Sequence, residues 1–152
     1  ILVKGENVMI GYLKQPLETN KTITKDNWLK TGDIGYLDED GYVFVTGRIK
    51  ELIIKGGENI APREIDEVLL EHETILEAAA FAVPCEQYGQ RVQACIILKD
   101  KVNVSEDELI NFCIKKIGKF KSPEKIYFCN QLPKGPSGKI QRLKLFEFVN
   151  KI

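Results

Sequence analysis

The sequence predicts an α+β fold, a small C-terminal domain whose sheet is covered by helices, preceded by a β-rich segment. Three observations predict it. Residues 1–49 carry short β-prone runs broken by turn residues. From residue 50 on, the patterns succeed one another as strand, helix, strand, strand, helix, strand, helix. One of those helices is marked at both ends, by Ser105 with Glu108 as a capping box and by Gly118 as a stop.

In the first part, Leu2-Val3 and Val8-Met9-Ile10 read as β structure separated by Lys4-Gly5-Glu6-Asn7, and a polar stretch follows from Pro16 to Asp26. Asp38-Glu39-Asp40-Gly41 is a turn signal between Ile34–Leu37 and Tyr42–Thr46, so a hairpin is expected there. The chain opens at once on Ile1-Leu2-Val3, with no initiator Met and no polar lead-in, and reads as a piece of a longer protein.

The second part begins with a strand over Leu52-Ile53-Ile54, a Gly56-Gly57 loop that tolerates positive φ, and a helix opened by Pro62. Glu64 and Asp66 place negative charge where the helix dipole favours it, and Ile65, Val68 and Leu69 recur at helical spacing. Ala78–Val83 and Val92–Leu98 read as buried strands joined through Pro84–Arg91. After the capping box, Leu109, Ile110, Phe112, Cys113 and Ile117 form the apolar stripe of a helix with Lys115 and Lys116 near its end. Ile126–Cys129 is a further strand, Pro133–Gly138 a flexible loop, and Leu143–Val149 a terminal helix. The domain boundary is expected near Lys50, dividing 1–49 from 50–152.

A chain of 152 residues buries a respectable core and fits one domain, or one domain with an appendage. Lys+Arg and Asp+Glu both total 22, which gives no support to a nucleic-acid footprint. Cys85, Cys95, Cys113 and Cys129 form no Cys-x-x-Cys pair and His72 is the single histidine, so no structural metal site is expected. Three of the cysteines sit among apolar residues and read as reduced thiols, which favours a cytoplasmic compartment. No apolar run approaches the length of a membrane-spanning helix.

Three segments invite a chemical reading, each with a plain structural alternative. Thr31-Gly32-Asp33 places a carboxylate that can accept hydrogen bonds from neighbouring sugar hydroxyls, or serves as ordinary turn chemistry. Gly47-Arg48-Ile49-Lys50 offers a guanidinium for phosphate or ribose oxygens and an ammonium at a pivot, or two solvated cations at a strand start. Pro133-Lys134-Gly135-Pro136-Ser137-Gly138-Lys139 departs from the phosphate-loop spacing, because Gly135 and Gly138 are too close and Ile140 follows the lysine. It is either a surface loop or an arm that brings Lys139 to developing negative charge.

Taken in order, Thr31-Gly32-Asp33, Gly47-Arg48-x-Lys50, Lys55-Gly56-Gly57-Glu58-Asn59-Ile60 and Pro133-x-x-x-x-Gly138-Lys139 closely resemble the C-terminal part of the acyl-CoA synthetase branch of the adenylate-forming (AMP-binding) superfamily. Gly5-Glu6-Asn7-Val8-Met9-x-Gly11-Tyr12 resembles the segment upstream of the aspartate motif. The resemblance implies that 1–49 ends a large N-terminal domain and that 50–152 is the mobile C-terminal domain of an AMP-forming ligase. Such enzymes adenylate a carboxylic acid with ATP and then transfer the acyl group to a thiol, usually of coenzyme A.

Carried over by resemblance, Asp33 and Arg48 bind the nucleotide, Lys50 is the hinge, Lys139 is the catalytic lysine of adenylation, and Gly56 and Gly57 flank the pantetheine channel. The basic run Lys115, Lys116, Lys119 and Lys121 either meets coenzyme A phosphates or is a solvated helix face. ATP with Mg²⁺ and coenzyme A are the implied cofactors of the whole enzyme. The implied partners are the N-terminal domain, a small carboxylic acid and coenzyme A. The Ser/Thr/Gly-rich phosphate loop and the acyl pocket belong to the N-terminal domain, so this polypeptide alone is expected to hold none of these cofactors and to form no adenylate.

Two rivals stand beside this. An adenylation domain that loads a carrier protein typically has Asp at the hinge, where this chain has Lys50, and a different following loop. A non-catalytic interaction module has no physical need for Asp33, Arg48 and Lys139 together. The acid itself is not readable from these residues.

Overall fold

The computed structural model describes residues 1–151, which divide into two compact units, Ile1–Lys50 and a second from Glu51 onward.

In the first unit, strand β1 (Leu2–Val3) is followed by helix α1 (Pro16–Thr22) and strand β2 (Leu29–Lys30), which pairs antiparallel with β1. Strands β3 (Asp33–Leu37) and β4 (Val43–Arg48) form the expected hairpin. Its turn is made as the sequence indicates, with Asp38 Oδ1 accepting from the N–H of Asp40 and Tyr42, and Gly41 at φ +84°. A register shift between Ile34 and Gly35 brings the Phe44 carbonyl so close that a Cβ on Gly35 would stand 2.2 Å from that oxygen.

Two expectations fail in this unit. Val8-Met9-Ile10 is not a strand: no neighbouring strand takes up its backbone groups, and Ile10 is fully exposed. β-branched composition marks a strand only where a partner exists. The polar stretch from Pro16 instead contains α1, with Pro16 in its first turn, Glu18 near its start and Lys21 near its end. α1 buries nothing, so it lacks the apolar stripe that would have revealed it.

The second unit confirms the α+β class. A short 3-10 turn (Ile49–Glu51) precedes strands β5 (Ile53–Lys55) and β6 (Glu58–Ile60), then helix α2 (Pro62–Leu70), strands β7 (Ile75–Cys85) and β8 (Gly89–Leu98), helix α3 (Glu106–Lys121) and strand β9 (Ile126–Phe128). A second 3-10 turn (Arg142–Lys144) runs into helix α4 (Leu145–Val149). The five strands form one sheet ordered β6-β5-β8-β7, with β9 parallel to β8 through Ala94–Ile126. β7 and β8 are a long antiparallel pair that runs to Cys85–Gly89, so the stretch Pro84–Arg91 is mostly strand, with only a tight turn between.

The loop expected between the first strand and α2 is itself a hairpin. Gly56 and Gly57 are its two turn residues at φ +57° and +86°, the double positive φ that a tight hairpin matching strand twist requires. α2 starts on Pro62 as expected. At α3, Ser105 Oγ accepts from the N–H of Glu108, and Gly118 at φ +76° breaks the regular helix before a last turn to Lys121.

Both faces of the sheet are buried, which is why Ala78-Ala79-Ala80 shows no polar alternation. On one face Ala78, Ala80, Val92, Ala94 and Ile96 pack with Ile65 and Leu69 of α2 and Leu109 and Cys113 of α3. On the other, Ala79, Phe81, Val83 and Cys95 meet Leu132 and the α4 residues Leu145 and Val149. Asp66 departs from its expected place at the helix dipole: it lies beyond the first turn of α2 and is 8 % exposed, facing the sheet.

Candidate functional site

Hairpin register sets the first group of residues. Asp33 opens β3 and Arg48 closes β4, and the two are direct partners across the ladder. Their side chains therefore meet, with Arg48 Nε 3.1 Å from Asp33 Oδ1. The Asp33 backbone N–H donates to Thr31 Oγ1 at 3.0 Å, which fixes the loop before the strand. Asp33 is mostly covered while Arg48 remains largely exposed, so the carboxylate keeps lone pairs for further donors while the guanidinium holds its orientation. Lys50 follows in the 3-10 turn, exposed, and with Thr31, Gly32 and Ile49 it lines a shallow depression.

In the second unit a cavity of about 560 Å³ is lined by Lys55, the residue before the Gly56-Gly57 turn, with Tyr88, Phe120 and Glu124 among its other walls. A Cβ on Gly56 would stand 3.5 Å from the Tyr88 ring and 3.9 Å from that of Phe120. Lys55, one residue earlier, has a buried side chain whose ammonium donates to the Phe120 carbonyl at 3.0 Å and to Glu124 Oε1 at 2.8 Å. It also lies 5.2 Å from the Phe120 ring centre and 5.8 Å from that of Tyr88. The cavity is thus an apolar, aromatic-walled recess with one fixed cation at its base, beside a turn that carries no side chain. Of the basic run on α3, Lys119 lines this cavity, whereas Lys116 and Lys121 are paired at 2.7 Å with Glu71 and Glu64.

Lys139 sits on a loop whose ends are joined by backbone hydrogen bonds. The Gly135 N–H donates to the Lys139 carbonyl and the Gln141 N–H to that of Pro133, each at 2.8 Å, while Gly138 turns the chain at φ +77°. Lys134 anchors the base through Glu77 at 2.7 Å. The Lys139 side chain projects into solvent with no ion-pair partner among the described residues. Three residues on, Arg142 is the hub of a buried ionic cluster. It reaches Asp66 Oδ2 at 2.6 Å, Asp66 Oδ1 at 3.3 Å, Glu51 Oε2 at 3.2 Å and the Ala80 carbonyl. Asp66 also accepts from the Ala80 N–H at 2.6 Å. Burial nevertheless holds the Asp66 carboxyl above its ordinary pKa, against the pull of Arg142.

Asp33 and Arg48 are therefore brought together in the first unit; in the second, Gly56 lies next to the Tyr88 and Phe120 rings of the cavity wall, Gly57 faces open space, and Lys139 lies on its own loop. Sequence reading missed Lys55, Tyr88 and Phe120 as cavity residues and Glu51, Asp66 and Arg142 as a cluster. Lys55 left a readable trace, a lysine two positions after buried Ile53 on an alternating strand. The cluster left none, because Arg142 lies 76 and 91 residues from its acidic partners. Among the described residues no group of three or more His, Cys, Asp or Glu stands together as metal ligands, and no helix is long and apolar enough to cross a membrane.

The model of the AMP-binding enzyme C-terminal domain matches residues 64–139. A sulfoacetate–CoA ligase of Cupriavidus necator is 52 % identical over 145 residues, which is 95 % of this chain and 28 % of that protein. An oxalate–CoA ligase of Saccharomyces cerevisiae is 47 % identical over 97 % of the chain and 27 % of its own length. The solved structure of o-succinylbenzoate CoA synthetase from Bacillus subtilis, in complex with its acyl-adenylate intermediate, superposes with a TM-score of 0.88 at 38 % identity, over 95 % of this chain and 29 % of that one. The chain thus spans somewhat more than a quarter of the length of the relatives it matches.

Proposed function

Because the chain belongs to the AMP-binding enzyme C-terminal domain family, we propose that it is the C-terminal portion of an ATP-dependent, AMP-forming acyl-CoA synthetase. The observation that carries this reading is the match to CoA ligases along nearly the whole chain at about half identity. In the first half-reaction a carboxylate oxygen attacks the α-phosphorus of ATP and pyrophosphate leaves. In the second, the coenzyme A thiol attacks the acyl carbon and AMP leaves.

The incoming carboxylate is already ionised at neutral pH, so adenylation needs no general base. It needs charge stabilisation. Lys139, exposed and without an ion-pair partner among the described residues, supplies an ammonium to the oxygens on which charge builds. Removing one comparable donor costs about 2.7–4 kcal/mol. Asp33 accepts the ribose hydroxyls of the nucleotide, and Arg48, held by Asp33, contacts its ribose or phosphate region. Lys50 is the hinge between residues 1–49 and the mobile domain 50–152. Gly56 and Gly57 border the passage for the pantetheine arm, and the aromatic cavity beside Gly56 is room for the thiol substrate. Mg²⁺ bound with ATP would supply positive charge to the pyrophosphate leaving group, and no residue of this chain is assigned to hold it. This reading also holds that the isolated chain, lacking the Ser/Thr/Gly-rich phosphate loop, catalyses no pyrophosphate exchange.

The test uses the full-length parent. Lys139→Ala should slow adenylation by about 10²–10³-fold while leaving thioester formation from supplied acyl-adenylate intact. Lys50→Pro should restrict the hinge and impair a single half-reaction. Equal loss of both half-reactions in Lys139→Ala would sink the role given to that lysine, and unchanged kinetics in Lys50→Pro would reject the pivot.

A further inference from the structure

We propose that Arg142 is a positioning residue for adenylation, which locks the exit of the Lys50 hinge and the Lys139 loop onto one rigid framework. The proposal rests on the roles given above to Lys50 and Lys139, and it assigns the device that couples them.

Glu51 is the first residue after Lys50, and Arg142 is the third after Lys139. Between the two working lysines the chain runs through the whole sheet and two helices, so sequence continuity cannot couple them. The Arg142 guanidinium does. Nε holds Glu51, Nη1 and Nη2 hold Asp66 of α2, and Nη1 also holds the Ala80 carbonyl of β7. A planar fork with fixed donor directions satisfies three acceptors at once only in one arrangement, which a flexible lysine could not reproduce. The fork is well shielded, its side chain 13 % exposed and that of Asp66 11 %.

The Lys139 loop is tied to the same body by other means. Lys134 bonds Glu77 on β7, and Gly135 and Gln141 close the loop through backbone bonds. The segment from Lys139 to Arg142 spans at most about 10 Å, so little slack separates the exposed ammonium from the anchored guanidinium. A rotation at the hinge is then passed to Lys139 as rigid-body motion. This matters because a catalytic group displaced by about 1 Å can lose some 10²-fold in rate. Glu51 is the telling member. At 28 % side-chain exposure it adds little to fold stability, yet it is where the hinge meets the cluster.

The experiment is a half-reaction analysis of the full-length parent with Glu51→Gln, Arg142→Lys, Lys139→Ala and the Glu51→Gln/Lys139→Ala double variant, with melting temperatures recorded for each. Glu51→Gln and Arg142→Lys should lower the adenylation kcat by about 10- to 100-fold, with KM for ATP and for the acid little changed. Thioester formation from supplied acyl-adenylate should proceed at the normal rate. Because Glu51 acts through Lys139, Glu51→Gln should add no further loss in the Lys139→Ala background.

Normal adenylation in Glu51→Gln, alongside impaired Lys139→Ala, overturns the positioning role and leaves the functional reading standing. Equal loss of both half-reactions with a lowered melting temperature makes the cluster a structural brace and also overturns it. Normal adenylation in Lys139→Ala strikes at the functional reading itself, and the double variant separates that case from the others.

Discussion

Replacing Arg142 by Met tests how the ionic cluster supports the fold, independently of any reaction. The substitution keeps most of the side-chain length and removes every donor. Asp66, with 11 % of its side chain exposed, would be left with only the Ala80 N–H as donor. Removing one partner of a buried ion pair costs about 3–5 kcal/mol, because the remaining charge stays desolvated. That is a large share of a domain's whole stability, roughly 5–15 kcal/mol. Glu51 is more open and adds no more than about 1 kcal/mol to the loss, the range of pairs near the surface.

The pH dependence has a definite sign. Burial already holds the folded Asp66 pKa above its ordinary value, and loss of Arg142 removes the main opposing pull, so the folded pKa rises further. Below the unfolded carboxyl value, about 3.9, both states are protonated and the penalty is absent. It grows as pH rises toward the folded pKa and is complete above it. The variant should therefore lose more stability at neutral pH than at pH 4. Asp66→Asn in the same background removes the stranded charge and should recover most of the loss.

The assay is equilibrium urea unfolding of the 152-residue chain followed by far-ultraviolet circular dichroism. Trp28, the single tryptophan, lies in the first unit and would miss this transition. A loss below about 1 kcal/mol at neutral pH, a loss that grows on acidification, or no recovery in the double variant would each refute the reasoning.

Two further predictions rest on packing. Gly35→Ala should disrupt the β3–β4 hairpin, since the added methyl would stand 2.2 Å from the Phe44 carbonyl oxygen; a Trp28 fluorescence transition unchanged from wild type would contradict it. Burial pushes the Cys113 thiol up to about 11, that of Cys95 higher still, and raises that of Cys129 as well, so a thiolate-selective reagent at pH 8 should label half-buried Cys85 first and buried Cys95 and Cys113 last. Equal labelling of all four in the native chain would count against the core as described.

The sequence by itself determined the elements whose signals are local. Asp38 and Gly41 marked the first hairpin, Pro62 and Ser105 marked two helix starts, and Gly118 marked a break, because turn and cap chemistry is satisfied within a few residues. The motifs around Asp33, Arg48, Gly56-Gly57 and Lys139 were legible for the same reason, each being a short run with unusual local demands. Where the signal depended on a partner, the reading failed. Val8–Ile10 had strand composition and no neighbour, α1 had a helix start and no apolar stripe, and the Gly-Gly loop proved to be a turn once Glu58–Ile60 had β5 to pair with.

Tertiary structure alone decided the parallel docking of β9 on β8, the burial of both sheet faces, and the meeting of Glu51, Asp66 and Arg142. A buried charge is tolerated only where an opposite charge and hydrogen bonds converge on it. Such convergence is a property of the folded chain, so Asp66 looks in the sequence like any acidic residue early in a helix.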